Sequence, residues 1–369
     1  MSNPAVHSGY SATPLDAAFA VLHDGIAQRA FPGAAAAIIH RGKLTALRAV
    51  GRFTYDVSSP EVAPETIFDL ASLSKVIATT TMAMILYERG ELDLDTALFA
   101  IVQEFSLSNS YERRQVTLRM LLSHSSGLPA YERLFQRARN RKELIKAAAS
   151  VPLEAAPGAR ALYSDIGFIL LGEALERIAG EDLDRFCRRE IFGPLGLRET
   201  MFRPPAHLRE QIPPTEDDRR FRHRIVQGEV NDENAFVMGG VAGHAGVFAS
   251  AADVATFAQA MLPHEPGSAV RRIVSPETIA TFTARSETPA GSSRALGWDT
   301  PSPPSQSGQY FSPRSYGHLG FTGTSLWIAP EQQLAIVLLT NRTWPDRKSQ
   351  LIKQVRPRFH DAVIEALER

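Results

Sequence analysis

Ser72 and Lys75 are the residues whose types and spacing point most directly to chemistry. They form a Ser-x-x-Lys pair inside the stretch FDLASLSKVI, residues 68–77. A serine hydroxyl is a weak nucleophile until a neighbouring base takes its proton, and side chains three positions apart share one face of a helix. The pair therefore predicts a nucleophile with a candidate base within reach.

The element that must position this pair is a predicted helix ending at Gly90, a residue typical of helix C-termini. Ser72 then lies in the first turn, where free backbone N–H groups and the helix dipole favour negative charge. Only one of the six lysines has a serine three positions before it, and arginine outnumbers lysine 34 to 6. The helix prediction rests on the apolar residues Val76, Ile77, Met84, Ile85 and Leu86.

Composition excludes several classes of protein. The 369 residues are 44% hydrophobic and 22% charged, with a formal net charge of zero, as in an ordinary globular chain long enough for two core-bearing units. Balanced charge gives no electrostatic case for binding nucleic acid or an anionic membrane. The single cysteine, Cys187, lies in a helical pattern and is expected in the core, without a disulfide. A single cysteine also excludes a metal cluster built on cysteines.

The N-terminal segment predicts a location. Residues 1–12 read as a flexible tail, and the first thirteen residues show neither a basic start nor an apolar core typical of a signal peptide. No apolar run approaches membrane-spanning length. The expectation is a cytoplasmic protein without a membrane span, of unknown oligomeric state.

The order of elements predicts the fold class. Thr13 and Pro14 read as the start of a first helix, and residues 33–39 and 44–50 as a β-hairpin. The middle of the chain is mainly helical, and three strands near 315–320, 324–328 and 334–340 precede a last helix. We predict an α/β (α+β) protein whose sheet combines strands from both ends of the chain, with a helical insertion. Its α/β region would be residues 13–70 and 241–369, and its helical region 71–240.

Three further stretches have distinct compositions. Residues 202–235 and 286–315 read as irregular surface loops, and Ser250 as the N-cap of a helix. Residues 239–246 contain four glycines and would allow a close backbone approach.

Three separated motifs, in order, resemble those of one family. They are Ser72-Leu73-Ser74-Lys75, Tyr163-Ser164-Asp165 and His318-Leu319-Gly320, and LLSHSSGLP (residues 121–129) and residues 242–257 look familial too. Together they resemble the serine β-lactamase and penicillin-binding protein superfamily, especially the class C-like branch of lactamases, DD-peptidases and esterases. The resemblance covers roughly residues 14–365. It implies an antiparallel sheet flanked by helices, an all-helical region, and an active site at the junction of the two. It also implies a small-molecule substrate and no metal or cofactor.

This resemblance implies roles for particular residues. Ser72 would attack a carbonyl to form an acyl-enzyme, while Lys75 and Tyr163 share the proton transfers; which of these two is the base stays open. A desolvated lysine near other cations can lose its proton, which would suit a base. The oxyanion hole would use the backbone N–H groups of Ser72 and Phe321. The predicted substrate-binding residues are Asp165, His318, Gly320 and His244.

Two departures from the family pattern bear on the substrate. Asp165 stands where many members have Asn, and an ionised carboxylate accepts but cannot donate a hydrogen bond. Asp165 could instead cap the following helix. His318 replaces the lysine of typical lactamases, which weakens a permanently charged clamp for a substrate carboxylate. Both changes favour the esterase, peptidase and amidase branches, acting on small esters, amides or peptidoglycan fragments.

Several alternatives stay open at this point. The chain could be a β-lactamase with weak penicillin or cephalosporin hydrolysis, a non-catalytic ligand sensor, or a Ser-His-Asp hydrolase using Ser125 or Ser126. No Gly-x-Ser-x-Gly elbow supports the last of these. Residues 231–234 and His244 could line the cleft, or form a turn and an exposed acidic patch. A metal site from His223, Asp232, Glu233 and His244 lacks the usual ligand spacing.

Overall fold

The computed structural model describes residues 14–106, 111–264, 270–287 and 289–368. The predicted N-terminal tail and the proposed cap at Thr13 lie outside these ranges. The first described helix is Asp16–Ala27, and Leu15 rather than Thr13 is its N-cap residue.

A five-stranded antiparallel sheet joins the two ends of the chain, as predicted. Gly33–His40 is paired on one side with Lys43–Gly51 and on the other with Leu334–Thr340, in a register that sets Ala34 opposite Thr340. The remaining strands complete the order Lys43–Gly51, Gly33–His40, Leu334–Thr340, Ser325–Ala329, Tyr316–Leu319.

Both faces of this sheet are covered. Because successive side chains of a strand point to opposite faces, Ala34, Ala36 and Ile38 pack with the terminal helices Asp16–Ala27 and Ile352–Leu367. The alternate residues Ala35, Ala37 and Ile39 belong to the larger cluster that includes the central helices. The fold is therefore the predicted α+β arrangement of an antiparallel sheet flanked by helices.

Along the chain, the other helices come after the hairpin strands and before the last three strands of the sheet. They include Asp165–Ala179, which ends at a left-handed Gly180 as predicted, and Ala251–Ala260, whose N-cap Ser250 accepts from the Asp253 N–H. The remaining α-helices are Thr81–Glu88, Leu98–Ile101, Leu118–Leu122, Arg141–Ala149, Leu183–Cys187, Gly193–Leu195, Glu233–Val237 and Pro276–Thr283.

Short elements connect these helices. Phe68–Asp69, Val247–Ala249 and Met201–Phe202 form a small three-stranded sheet, and Glu216–Asp218 pairs with Arg224–Val226. Among the described residues, π-helical segments lie at Lys75–Thr80 and Arg188–Phe192. Turns of 3₁₀ helix lie at Ala71–Leu73, Gln103–Ser106, Glu112–Gln115, Leu134–Gln136, Ala206–Gln211 and Pro330–Gln332.

Two sequence predictions are corrected here. Residues 202–235 are not simply a surface loop, because they contain these short strands and the buried Asn231 and Asn234. The predicted helix from Ser72 to Gly90 consists of three segments of different pitch, namely Ala71–Leu73, Lys75–Thr80 and Thr81–Glu88. A change of pitch of this kind leaves little trace in the spacing of apolar residues.

Cys187 is buried, as expected for a core residue. None of the described helices is long and apolar enough to cross a membrane. The division into regions at residues 70 and 240 stays a prediction, since one hydrophobic cluster continues from Ala35 in the sheet to Phe168 in a central helix.

Candidate active site

Ser72 lies in a backbone turn that other residues hold in place. The preceding residue, Ala71, has a φ of 48°, a left-handed conformation that costs an alanine free energy. The Asp69 carboxylate accepts a hydrogen bond from the Ala71 N–H at 2.8 Å. On the other side, the Ser74 hydroxyl accepts from the Val247 N–H at 3.0 Å. Ser72 itself stays partly exposed, so a substrate can reach its hydroxyl.

Lys75 begins the π-helical segment, an element frequent at functional sites, and its side chain is fully buried. Its ammonium donates to three oxygens: Ser72 Oγ at 3.1 Å, Asp165 Oδ1 at 2.6 Å and the His244 carbonyl at 3.0 Å. An ammonium has three N–H donors, so every donor of Lys75 has a partner.

Tyr163 completes the surroundings of the Ser72 hydroxyl. Its phenolic O–H lies 2.8 Å from Ser72 Oγ. Its ring packs 4.7 Å from the His124 ring and 5.8 Å from the His318 ring, measured between centroids. The structure thus brings Ser72, Lys75 and Tyr163, which are 91 positions apart at most, into one hydrogen-bonded group.

Lys75 is not the deprotonated lysine that the sequence led us to expect. Burial alone would lower the pKa of Lys75, but the Asp165 carboxylate, and after it Tyr163, raise that pKa above its ordinary value. Burial raises the pKa of Tyr163 as well, although the Lys75 charge opposes this. Both groups therefore hold their protons at neutral pH.

Asp165 is not the cap of the helix that follows it, so that alternative is wrong. The cap is Ser164, whose hydroxyl accepts from the Gly167 N–H at 3.0 Å and donates to the Pro129 carbonyl at 2.6 Å. Asp165 is the first helical residue, and its side chain turns to Lys75. A role in substrate binding stays a prediction for this carboxylate.

His318 lies on the strand Tyr316–Leu319 and is buried. Its Nδ1 lies 2.8 Å from the Leu319 carbonyl and therefore carries the proton, while Nε2 has no partner among the described residues. Burial, with the Lys75 and Arg294 charges, lowers the pKa of His318 well below its ordinary value. His318 is thus neutral, and any substrate contact it makes would be that of an uncharged imidazole.

The turn that follows this strand is tied to the backbone beside Ser72. The Thr322 hydroxyl donates to the Asp69 carbonyl at 2.8 Å, and the Thr324 hydroxyl donates to the Leu70 carbonyl at 2.9 Å. Gly320 is required here because a Cβ would overlap the Thr324 hydroxyl. These contacts bring the turn that carries Phe321 to the nucleophile turn. The oxyanion hole of the Ser72 and Phe321 N–H groups stays a prediction.

His244 reaches the site through its backbone. Its carbonyl accepts from Lys75, while its buried ring bonds through Nε2 to Asp232 Oδ1 at 2.7 Å. Burial would raise the pKa of Asp232, but the contacts with His244, the Ala235 N–H and the charge of Lys75 lower it to about 2. Asp232 also caps the helix Glu233–Val237, so residues 231–234 are not an exposed acidic patch. Substrate binding by His244 stays a prediction.

The glycine-rich stretch explains how this carbonyl comes so close to Lys75. Gly243 packs directly on the helix Asp165–Ala179, where a Cβ would overlap the Phe168 carbonyl oxygen. The Gly243 carbonyl accepts from the Thr79 hydroxyl at 2.7 Å. The predicted close backbone approach is therefore confirmed at Gly243.

Sequence reasoning assigned no individual role to three residues of the site. His124 accepts from the Ser164 N–H through Nδ1 at 3.0 Å and packs against Tyr163. The guanidinium carbon of Arg294 lies 5.3 Å from the centre of the Tyr163 ring. Asp69 holds the nucleophile turn. His124 and Asp69 lie in stretches already singled out, whereas Arg294 comes from a loop with no readable motif.

Neither alternative nucleophile, Ser125 or Ser126, has a histidine base within hydrogen-bond distance among the described residues. The Ser125 hydroxyl lies 2.9 Å from that of Ser123, and Ser126 Oγ accepts weakly from the Leu128 N–H. Within residues 14–106, 111–264, 270–287 and 289–368, no histidine nitrogen bonds either hydroxyl. Over the same ranges no three His, Cys, Asp or Glu side chains converge as a metal site.

The geometry can be compared with known proteins. The sequence model of the β-lactamase family matches residues 17–356. The chain belongs to the β-lactamase family. A protein of Escherichia coli (strain K12) named "Putative D-alanyl-D-alanine carboxypeptidase" is 33% identical over 303 residues, which are 75% of this chain and 69% of the relative.

Solved structures agree on the fold of this β-lactamase-family protein. A hydrolase with promiscuous acyltransferase activity superposes with a TM-score of 0.76 at 21% identity, covering 95% of this chain and 98% of the other. A class C β-lactamase from Rhodobacter sphaeroides gives a TM-score of 0.71 at 22% identity, covering 95% and 99%. The family resemblance and the β-lactamase/transpeptidase-like fold are confirmed, and family membership makes the chain a serine hydrolase.

Proposed function

We propose that this serine hydrolase acts through an acyl-enzyme on Ser72, with Lys75 and Tyr163 moving the protons. The observation that carries the proposal is the position of Ser72 Oγ, 3.1 Å from Lys75 Nζ and 2.8 Å from the Tyr163 hydroxyl. A nucleophile within hydrogen-bond reach of two proton-transfer groups is the arrangement that covalent catalysis requires. The two N–H groups of Ser72 and Phe321 would stabilise the developing oxyanion.

The proposed substrates are small amides or esters, with peptides that end in D-amino acids first among them. The name of the 33% identical relative supports a peptide substrate. The neutral His318 and the carboxylate of Asp165 supply no permanent positive charge for a substrate carboxylate, which favours esters over penicillins. A peptide also ends in a carboxylate, and Arg294, whose guanidinium carbon lies 5.3 Å from the centre of the Tyr163 ring, is the cation that would bind it. Weak hydrolysis of penicillins is the second candidate.

The test combines active-site labelling with substrate profiling. A fluorophosphonate probe should label Ser72, as mapped by mass spectrometry of the labelled peptide, and Ser72→Ala should abolish both the label and hydrolysis. Label on Ser125 or Ser126 would overturn the mechanism. Absence of label, together with ligand binding but no turnover, would indicate a sensor.

Wild-type protein and Ser72→Ala are then compared on p-nitrophenyl acetate, a D-alanyl-D-alanine peptide and a penicillin. Rates that depend on Ser72 and are highest for the peptide would support the proposed substrate class. A penicillin rate above the peptide rate would favour the second candidate instead.

A further inference from the structure

The hydrogen-bonded group around Ser72 includes one carboxylate, that of Asp165, which accepts hydrogen bonds when it is ionised. The ammonium of Lys75 donates to Ser72 Oγ and to Asp165 Oδ1, and the Tyr163 hydroxyl lies on the other side of Ser72 Oγ. Lys75 and Tyr163 both hold their protons, since their pKa values lie above the ordinary ones. A group that is already protonated cannot accept the proton of Ser72 unless it passes one on.

We propose that Asp165 receives the proton that leaves Ser72 during acylation, with Lys75 as the relay between them. The geometry fits a two-step transfer, because Lys75 Nζ is 3.1 Å from Ser72 Oγ and 2.6 Å from Asp165 Oδ1. The inference rests on the proposed function, and it makes Asp165 a positioning residue that acts through Lys75.

The step balances in protons and charge. Lys75 gives one proton to the Asp165 carboxylate, which becomes a neutral acid, and the resulting amine takes the proton of Ser72. Ser72 Oγ forms its bond to the substrate carbonyl carbon, and the carbonyl electron pair moves onto oxygen. Tyr163 can then protonate the leaving group, and the proton on Asp165 returns through Lys75 to the Tyr163 phenolate, which restores the starting state.

Burial and the ion pair act on this transfer in opposite directions. The Lys75 side chain is fully buried and that of Asp165 is 19% exposed. Desolvation penalises the charged ammonium and favours the transfer, whereas the Asp165 carboxylate holds the proton on Lys75 and raises its pKa, so the transfer occurs only as Ser72 Oγ bonds to the substrate.

The other titratable groups that face Lys75 are occupied or neutral. Burial, with the charges of Arg294, Lys75 and His318, lowers the pKa of His124 well below its ordinary value, and His318 is neutral for similar reasons. The Asp232 carboxylate is bonded to His244 Nε2 and accepts from the Ala235 N–H. Asp165 is therefore the carboxylate in direct contact with the relay, among the residues that the structure describes.

The test is the pH dependence of fluorophosphonate labelling at Ser72 in Asp165→Asn. In the variant, Lys75 or Tyr163 must lose a proton first. We therefore expect the acid limb to move to higher pH and the rate at pH 6 to fall about 10²-fold, in the range of general-base effects.

Matched variants separate this role from a structural one. Asp165→Glu keeps a carboxylate and should retain the acid limb of the wild type even if its rate is reduced. Asp253→Asn removes a buried carboxylate that bonds Thr200 and the Glu199 N–H, and it should leave the profile unchanged. Asp165→Glu also serves if Asp165→Asn does not fold.

Two outcomes would contradict the proposal in different ways. Wild-type labelling at Ser72 with an unshifted acid limb in Asp165→Asn would overturn the proton-acceptor role alone. No labelling of wild-type Ser72 would overturn the proposed function, and with it this inference.

Discussion

Arg356 Nη2 donates to the Gly320 carbonyl at 2.6 Å, so the last helix holds the turn that carries Phe321. The same guanidinium donates to the Thr324 and Gly323 carbonyls at 3.0 and 3.2 Å. Burial, and after it the charge of Arg342, lowers the pKa of Arg356 to about 9. A residue far from Ser72 in sequence thus supports the proposed oxyanion hole.

Arg356→Met should therefore reduce both stability and turnover. The Gly323 carbonyl loses its donor, and an unsatisfied buried group costs about 1–3 kcal/mol. The Gly320 and Thr324 carbonyls keep the backbone donors Gly323 N–H at 3.1 Å and Gly320 N–H at 2.8 Å. The change should lower kcat more than it raises KM, because a loosened Phe321 N–H affects the transition state most. Thermal unfolding and steady-state kinetics measure the two effects. Arg358→Met, an exposed position on the same helix, is the control, and equal effects at both positions would contradict the role of Arg356.

Tyr163→Phe removes the hydroxyl 2.8 Å from Ser72 Oγ but keeps the ring that packs against His124. We expect kcat to fall by about 10²–10⁴, the usual contribution of a general acid or base. Stability should change by only about 1 kcal/mol, the net value of one hydrogen bond. Tyr316→Phe is the control, since its hydroxyl bonds the Met261 carbonyl. A Tyr163→Phe enzyme as active as Tyr316→Phe would remove Tyr163 from the mechanism.

Asp69→Asn should change how stability depends on pH. Burial raises the pKa of Asp69 from 3.8 to about 6, against the hydrogen bonds from the Asn231 and Ala71 N–H groups. The folded state therefore binds the proton more tightly than the unfolded state, and this group stabilises the protein below pH 4. That stabilisation, about 3 kcal/mol, is lost as the pH rises to 6.

Urea unfolding of wild type and Asp69→Asn at a series of pH values measures this effect. The asparagine does not titrate, so the stability of the wild type relative to Asp69→Asn should fall as the pH rises from 4 to 6. A difference that stays constant over this range would show that Asp69 does not titrate there.

Gly243→Ala should destabilise the protein and displace the His244 carbonyl from Lys75, because the new Cβ meets the Phe168 carbonyl oxygen and Gly172. Gly90→Ala provides the comparison. Gly90 has a φ of 70° with no atom within 4 Å of a Cβ, so only left-handed strain of about 1–2 kcal/mol applies. We expect the larger loss of Tm, and a loss of labelling at Ser72, for Gly243→Ala. The reverse order would contradict the packing argument.

The sequence by itself determined the local features of this protein. Alternating apolar residues and turn signals located the hairpin Gly33–Gly51 and the three late strands, and Gly180 and Ser250 marked helix ends, because these features depend on neighbouring residues. The Ser72 and Lys75 spacing also follows from local geometry.

Only the tertiary structure decided which groups of the site carry a proton. Lys75 meets Asp165 across 90 positions of chain and the His244 carbonyl across 169. The protonation of Lys75 depends on these distant neighbours. From the sequence we expected a desolvated lysine, because nothing in the local pattern shows that the Asp165 carboxylate lies beside it. A pKa reflects burial and nearby charge, which the fold assembles and no local pattern contains.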